Sequence, residues 1–453
     1  MVKKRVHILG ICGTFMGGLA LLARESGFQV SGCDENVYPP MSEHLADEGI
    51  EIISGYKLAD LPEADIYLVG NAMSRGNEII EYLLNTKANI VSGPEWVYEN
   101  ILKEKKVIAV SGTHGKTSTT AMIAWIFEYV GKDIGYLIAG KPKDFKVSSR
   151  LGTENIFVIE ADEYDTAFFD KRAKFVHYHP DVLIINNLEF DHADIYKDLS
   201  AIQTQFHHLI RSMPQNSLII YPEEDLNVGS LMQQGSWSET KSYSANRNSK
   251  NYYVPLSSDF SSVKFTLEQE QGVLEWSMLG AHNAQNAFCS ILACQKFGLP
   301  LKKILEALKE FQGVSRRQDL LFNKHGKVLI DDFAHHPTAI KSTLEGIREK
   351  YKDHRIIALI ELRSNTMKSG LHDKSFANST KSADKVYWKG QDRRQLEIIC
   401  NLNSSESSII ESIEDTVSEI INDLHGEELL VTMSNGGFDG ITSKLLESLE
   451  NAN

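Results

Sequence analysis

The sequence lacks the features that mark extracellular, membrane-spanning and nucleic-acid-binding chains. Its 453 residues hold five cysteines (Cys12, Cys33, Cys289, Cys294, Cys400), an odd number with no Cys-x-x-Cys pair. Such usage reads as free, buried thiols in a reducing cytoplasm. No apolar run exceeds strand length, so no transmembrane helix is expected. The run after Lys3-Lys4-Arg5 stops after four residues, too short for the apolar region of a signal peptide. Basic residues are the scarcer charge: 47 Lys and Arg against 61 Asp and Glu give a net charge of −14. That balance argues against nucleic-acid and anionic-membrane partners, while a local basic pocket for phosphates stays open. There is no internal repeat and no low-complexity tract. What is present is 42% hydrophobic content, enough for several cores, over a length that suggests about three domains.

The most specific stretch is Ser111-Gly112-Thr113-His114-Gly115-Lys116-Thr117-Ser118. A strand-like run, Val107–Val110, precedes it. A helical pattern from Thr119, apolar at Met122, Ile123, Ile126, Phe127 and Val130, follows it. Strand, Gly-rich loop, Lys-Thr and helix is the context of a phosphate-binding loop, whose backbone N–H groups and helix N-terminus face phosphate oxygens. Lys116 is placed to reach the β- and γ-phosphates and the Thr117 hydroxyl to bind Mg²⁺. The loop is a variant: Val110 stands where the usual first Gly would be, and the first Gly is Gly112.

Residues 1–105 open on a strand, Val6–Leu9, a Gly-rich turn, Gly10–Gly18, a helix to about Ser26, and a strand, Gln29–Cys33, ending at Asp34. This is a Rossmann-like opening with an acidic residue placed to meet a ribose or another polar group. The glycines are not spaced Gly-x-Gly-x-x-Gly, which disfavours a dinucleotide, and a close-packed βα turn is the alternative. Strand Ile66–Val69 runs into Gly70-Asn71-Ala72-Met73-Ser74-Arg75, and the charged stretch Lys103–Lys106 marks a boundary. In the middle segment, 106–313, strand Ile156–Ile159 ends in Glu160–Asp165 and strand Val182–Ile185 ends in Asn186–Asp194. Carboxylates at strand ends beside a phosphate loop are natural Mg²⁺ ligands or water-holders. His192 among them reads as a metal ligand or a paired imidazole. Weaker strands are expected over Val263–Leu267 and Val273–Met278. Asn283 and Asn286 then share one face of a helix; on spacing alone, capping and a polar surface explain them. In 314–453, strands Val328–Ile330, Ile356–Ile360 and Leu429–Thr432 run into polar or Gly-rich ends, which predicts another ligand face. The Ser/Glu-rich stretch 403–412 reads as an exposed loop.

Gly112–Ser118, Glu160–Asp165, Asn186–His192, His282–Asn286, Arg316-Arg317 and Asp331–Pro337 together resemble, in order and across the chain, the motifs of the Mur ligase family. These are ATP-dependent amide ligases of bacterial cell-wall synthesis. The resemblance implies an α/β fold of three domains: Rossmann-like (1–105), a central P-loop ATPase-like domain with a mostly parallel sheet (106–313), and Rossmann-like again (314–453). His7–Gly18, Asn36–Met41, Phe168–Tyr178, Asn186–Asp194, Arg363–Lys368 and Met433–Phe438 resemble the branch that joins UDP-N-acetylmuramate to L-Ala-γ-D-Glu-meso-diaminopimelate in peptidoglycan recycling. The branch that adds L-alanine is the nearest alternative; a P-loop switch without ligation and a nucleotide-sugar oxidoreductase are more distant ones. Leu362 departs from the usual Pro, and Asp439 and Thr442 from small or His residues. The helical pattern Leu199–Ile210 contains no lysine, so a carbamylated lysine there is not expected.

The resemblance also implies roles. Gly112, Thr113, His114, Gly115, Lys116, Thr117 and Ser118 would cradle ATP, with Lys116 on the β/γ-phosphates. Thr117 and Glu160 would share one Mg²⁺, and His192 would bind a second. Asn283 and Asn286 would contact the adenine or hold the site polar, and Arg317, Asp332 and His336 would serve the phosphate and ribose. Gly10, Ile11, Gly13, Thr14, Met16 and Gly17, with Asp34, Asn71, Ala72, Met73 and Ser74, would grip the uridine diphosphate. Arg363, Ser364, Asn365 and Thr366 would meet the peptide, Arg being suited to carboxylates.

Overall fold

The computed structural model describes residues 3–37, 41–191, 193, 195–268, 270–363 and 373–451. His192, Ser364, Asn365 and Thr366 lie outside the described residues. Contacts divide the chain into two units, one of Met1–Phe190, Ile195–Ser244 and Cys289–Ala307, the other chiefly of Ala245–Phe288 and Leu308–Asn453.

In the first unit, short apolar runs bounded by glycine or polar residues form buried parallel strands, whose two covered faces explain the near-continuous hydrophobicity. β1 (Arg5–Leu9), β2 (Gln29–Asp34), β3 (Glu51–Ser54), β4 (Ile66–Val69) and β5 (Ile90–Ser92) make a parallel sheet of order β3-β2-β1-β4-β5. Its order reverses between β1 and β4, so the loops after those strands flank a crevice at the carboxyl ends, where open α/β sheets bind ligands.

A second sheet is built from β6 (Lys106–Ser111), β7 (Gly135–Leu137), β8 (Ser149–Arg150) and β9 (Ile156–Glu160). A hairpin of β10 (Asp165–Ala167) and β11 (Asp170–Ala173) interrupts it before β12 (Val182–Ile185), β13 (Leu218–Pro222) and β14 (Glu239–Tyr243) complete it. The order β14-β13-β12-β6-β9-β7-β8 sets β6, the strand before the phosphate loop, between the two strands that end in acidic clusters. One hydrophobic core, including Ile8, Leu19, Trp96, Phe157, Phe175 and Phe206, serves both sheets. Trp96 and Phe157 are at most 1% exposed, and truncating either to alanine would cost about 3–5 kcal/mol.

The second unit holds an antiparallel sheet of β15 (Asn251–Pro255), β16 (Ser262–Leu267) and β17 (Glu270–Glu275). The strand expected over 273–278 begins three residues earlier, because the β16–β17 register pairs Leu267 with Glu270. A six-stranded sheet follows, from β18 (Asp319–Lys324), β19 (Lys327–Asp332), β20 (Arg355–Leu362), β21 (Lys385–Gly390), β22 (Glu406–Ile409) and β23 (Glu428–Met433). Its order is β18-β19-β23-β20-β21-β22, parallel except for β18. The exposed loop expected at 403–412 therefore contains a strand. Among the described residues β22 pairs on one side only, with β21, and such an edge tolerates the polar residues that hid it.

Candidate active site

β6 ends at Ser111, whose hydroxyl donates to the Ile184 carbonyl at 2.6 Å. The chain then turns at Gly112 with φ +121°; a Cβ there would meet Asn187 O at 2.9 Å and the Asn186 and Asn187 nitrogens at 3.0 Å. Backbone lies on backbone, and only glycine fits. The contact is held by Thr113 N donating to Asn187 O (3.3 Å) and His114 N donating to Asn187 Oδ1 (2.8 Å). Glu189 N donates to Thr113 Oγ1 at 2.8 Å. Gly115, at φ +84°, caps helix Lys116–Tyr129, which starts three residues before the apolar pattern does.

Lys116 Nζ donates to Gly112 O (2.6 Å), Thr113 O (3.3 Å) and Glu163 Oε2 (3.1 Å). Burial alone would depress its pKa, but Glu163, Glu160 and Asp162 outweigh burial and hold the ammonium above its ordinary value. One residue on, Thr117 Oγ1 donates to Glu160 Oε1 at 3.0 Å, and Glu160 Oε2 accepts from Ala139 N at 3.0 Å. A hydroxyl and a carboxylate side by side at a helix N-terminus are hard oxygen donors that fit a divalent cation such as Mg²⁺. His114 Nε2 lies 3.5 Å from Glu189 Oε2.

At the first sheet, Gly10 N and Ile11 N donate to Cys33 O at 2.8 and 3.3 Å, folding the Gly-rich turn over the end of β2. Asp34 fixes that turn: Oδ2 accepts from Cys12 N and Oδ1 from Asn36 N, each at 2.9 Å. The carboxylate expected to face a ribose thus has both oxygens engaged in shaping backbone. Ile11, Met16 and Met73 are 0%, 6% and 4% exposed, so their side chains serve the core and leave only backbone for a ligand. Gly13, Thr14, Ala72 and Ser74 are exposed, Asn71 is half-buried, and Gly17 is buried. Burial, then Asp34, pushes the Cys12 thiol up to about 11, as suits an inert cysteine.

In the second unit, Asn283 and Asn286 are 3% and 5% exposed, which removes the polar-surface explanation. Asn283 Nδ2 donates to Leu279 O (2.8 Å) and Gln318 Oε1 (3.2 Å), and Asn286 Nδ2 to Asn283 Oδ1 (3.5 Å). Asp332 accepts from Gln318 N and Ala334 N, each at 2.7 Å; burial raises its pKa against the opposing pull of Arg317. The Arg317 guanidinium stacks 4.3 Å from the Phe333 ring centroid. His336 caps helix Pro337–Lys350 by accepting from Thr338 N at 3.4 Å. Arg363 lies over the turn after β23, where a Cβ on Gly436 would collide with its guanidinium.

Three families match consecutive segments: the Mur ligase family catalytic domain over 5–105, the Mur ligase middle domain over 110–294 and the Mur ligase glutamate ligase domain over 316–436. The chain is 45% identical to the UDP-N-acetylmuramate–L-alanyl-γ-D-glutamyl-meso-2,6-diaminoheptandioate ligase of Escherichia coli K12, across 98% of both chains. It belongs to the Mur ligase family. A crystal structure of the murein peptide ligase of Psychrobacter arcticus is 43% identical over 99% of both chains, with a TM-score of 0.76. The UDP-N-acetylmuramate–L-alanine ligase of Clostridium acetobutylicum is 28% identical over 96% of both chains.

In the two units of this Mur ligase, taken separately, sequence reading missed three residues that hold the candidate loops in place. Asn187 clamps the phosphate loop through side chain and backbone; its motif was visible, its partner was not. Glu163, 3% exposed, is the carboxylate bonded to Lys116, yet it looked equivalent to its acidic neighbours. Arg316, not Arg317, ties the strand ends: it donates to Ser434 O and Gly436 O at 2.7 Å and to Asp331 Oδ2 at 3.2 Å.

Proposed function

We propose that this chain is the ATP-dependent ligase that joins UDP-N-acetylmuramate to L-Ala-γ-D-Glu-meso-diaminopimelate in peptidoglycan recycling. One observation carries the reaction class: Lys116, Thr117 and Glu160 meet at the carboxyl end of the central sheet, on a loop whose glycine admits close backbone approach. The likeness to the Escherichia coli ligase, 45% against 28% for an alanine-adding relative, supports the tripeptide as acceptor. Residues 1–105 bind the UDP-sugar through the switch-point loops, 106–313 bind ATP, and 314–453 receive the peptide, with Arg363 meeting a carboxylate. Asn283, Asn286, Arg317, Asp332 and His336 serve the nucleotide. Five unpaired thiols support a cytoplasmic location.

A carboxylate is a poor acyl donor because its leaving group is oxide. The lactyl carboxylate of UDP-N-acetylmuramate takes the γ-phosphoryl group of ATP, ADP leaves, and the resulting acyl phosphate has phosphate as its leaving group. The peptide amine attacks the carbonyl, phosphate departs with the C–O electron pair, and the amine's proton goes to solvent or base. Charge spreads over the phosphoryl oxygens, so positioning and electrostatics dominate catalysis. Lys116 turns from the loop carbonyls to the phosphate oxygens, and the loop amides hold them in line. Thr117 and Glu160 would hold a Mg²⁺ ion, which would supply positive charge against the phosphates. Exclusion of water keeps the acyl phosphate from hydrolysis.

The test is phosphate release with ATP, Mg²⁺ and UDP-N-acetylmuramate, comparing the tripeptide with L-alanine. Turnover with the tripeptide and little with alanine is expected. The reverse preference would assign the chain to the alanine-adding branch, and release indifferent to both would reject ligation.

A further inference from the structure

The hairpin of β10 and β11 leaves the acidic cluster after β9 and packs Phe168 against the core cluster of the first sheet that includes Leu9, Cys33, Val69 and Met73. At its base stands Lys174, 7% exposed. Its ammonium lies 3.2 Å from Asp162 Oδ2, 5.0 Å from the Phe15 ring centroid and 5.5 Å from that of Tyr164. Phe15 is in the first turn of the helix that follows the Gly-rich turn, and Asp162 is two residues beyond Glu160. Lys174 therefore sits between the ligand edge of the first sheet and that of the second.

An ammonium has three donors, and buried donors are ordinarily satisfied. Among the described residues Lys174 has one hydrogen-bond acceptor, Asp162; the two aromatic faces attract its charge but accept no ordinary hydrogen bond. Nearby, the Tyr178 hydroxyl is fully buried with no partner among the described residues, and Asp162 and Glu160 both act on it electrostatically. Polar capacity is thus left over where the donor substrate must cross from one sheet edge to the other.

We propose that Lys174 binds an anionic oxygen of the UDP-sugar, either the lactyl carboxylate or a diphosphate oxygen, and so sets the donor's reach toward the nucleotide. The assignment rests on the proposed function. It adds a cation-bearing hairpin to the elements that select the substrate.

Titration calorimetry of the full chain without ATP tests it, with UDP-N-acetylmuramate, UDP-N-acetylglucosamine (which lacks the lactyl group) and UDP. Lys174→Met should weaken UDP-N-acetylmuramate at least tenfold while the KM for ATP stays within about threefold. Loss confined to UDP-N-acetylmuramate identifies the carboxylate, and equal loss for all three identifies the diphosphate. Unchanged binding by a folded Lys174→Met overturns the proposal, as does recovery in Lys174→Met/Asp162→Asn, which would mean that Lys174 only neutralises Asp162. Should the methionine variant not fold, Lys174→Arg decides: its bulkier head group should raise the KM for UDP-N-acetylmuramate alone, and unchanged constants overturn the assignment. Wild-type protein that fails to bind UDP-N-acetylmuramate would instead reject the proposed function.

Discussion

Replacing Gly112 with alanine separates the nucleotide site from the rest of the molecule. The residue has φ +121°, and its Cβ would stand 2.9 Å from Asn187 O and 3.0 Å from two backbone nitrogens. An L-residue held there costs about 1–3 kcal/mol in backbone strain. No side-chain rotation relieves the contacts, because every near atom is backbone. The loop must move away from Asn187 and loosen the bonds from Thr113 N (3.3 Å) and His114 N (2.8 Å). If displacement costs ATP two hydrogen bonds from loop amides to charged oxygens, each worth about 1.5–3 kcal/mol, kcat/KM for ATP falls by roughly 10²–10⁴. UDP-N-acetylmuramate binding should stay within about threefold, since the first sheet and its turn are untouched. Phosphate-release kinetics with varied ATP, beside calorimetric binding of the UDP-sugar, measure both. A folded Gly112→Ala enzyme with a near-normal kcat/KM for ATP would refute the claim that this backbone packing shapes the loop.

His7 gives an acid-dependent effect of calculable sign. Burial lowers its pKa from 6.5 to about 4, so the unfolded chain takes up the proton first and stability is lost as pH falls from 6.5 toward 4. The loss attributable to His7 between pH 7 and 5 is about 2 kcal/mol; His7→Asn, which can retain the bond to Ser31 Oγ (2.9 Å), should flatten the acid limb by that amount in urea titrations. Equal acid limbs in both proteins would show that other groups set it. Arg316→Ala removes two bonds to strand-end carbonyls and the pair with Asp331; discounted for its 36% exposure, this should cost about 2 kcal/mol. A calorimetric or denaturant loss under 0.5 kcal/mol, roughly the scale of a surface change, would mean that the turn at Ser434–Gly436 holds without it.

What could be read in advance follows from locality. Loop and helix at Gly112–Tyr129 are encoded within about twenty residues, so glycines, Lys-Thr and apolar spacing were enough to foresee them. The strands before the acidic clusters were likewise legible, because both their faces are covered and their hydrophobicity is continuous. What depended on a distant partner was not legible. Asp34 resembles a ribose ligand in sequence, but whether its oxygens meet sugar or the Cys12 and Asn36 amides depends on how the turn closes. Asn283 and Asn286 have the spacing of a solvated face, and only the packing of Gln318 shows them buried. Arg316 and Arg317 are adjacent and chemically alike; the positive φ of Arg316 (+62°) turns it toward the strand ends, a distinction that no spacing records.

Lys116 joins folding to chemistry. It is the charged partner of Glu163, which is 3% exposed, and it faces Glu160 and Asp162 as well. In low dielectric a carboxylate cluster without its cation costs several kcal/mol, so the lysine stabilises the loop before any nucleotide arrives. The same carboxylates make the site hostile to a polyanion. A triphosphate entering here must draw Lys116 away from Gly112 O and Thr113 O while meeting negative charge on the β9 side. One positive charge cannot neutralise both Glu163 and the phosphates. This charge arrangement favours a second cation, and the Thr117–Glu160 pair, one helical residue away, offers hard oxygen donors of the kind that suit one.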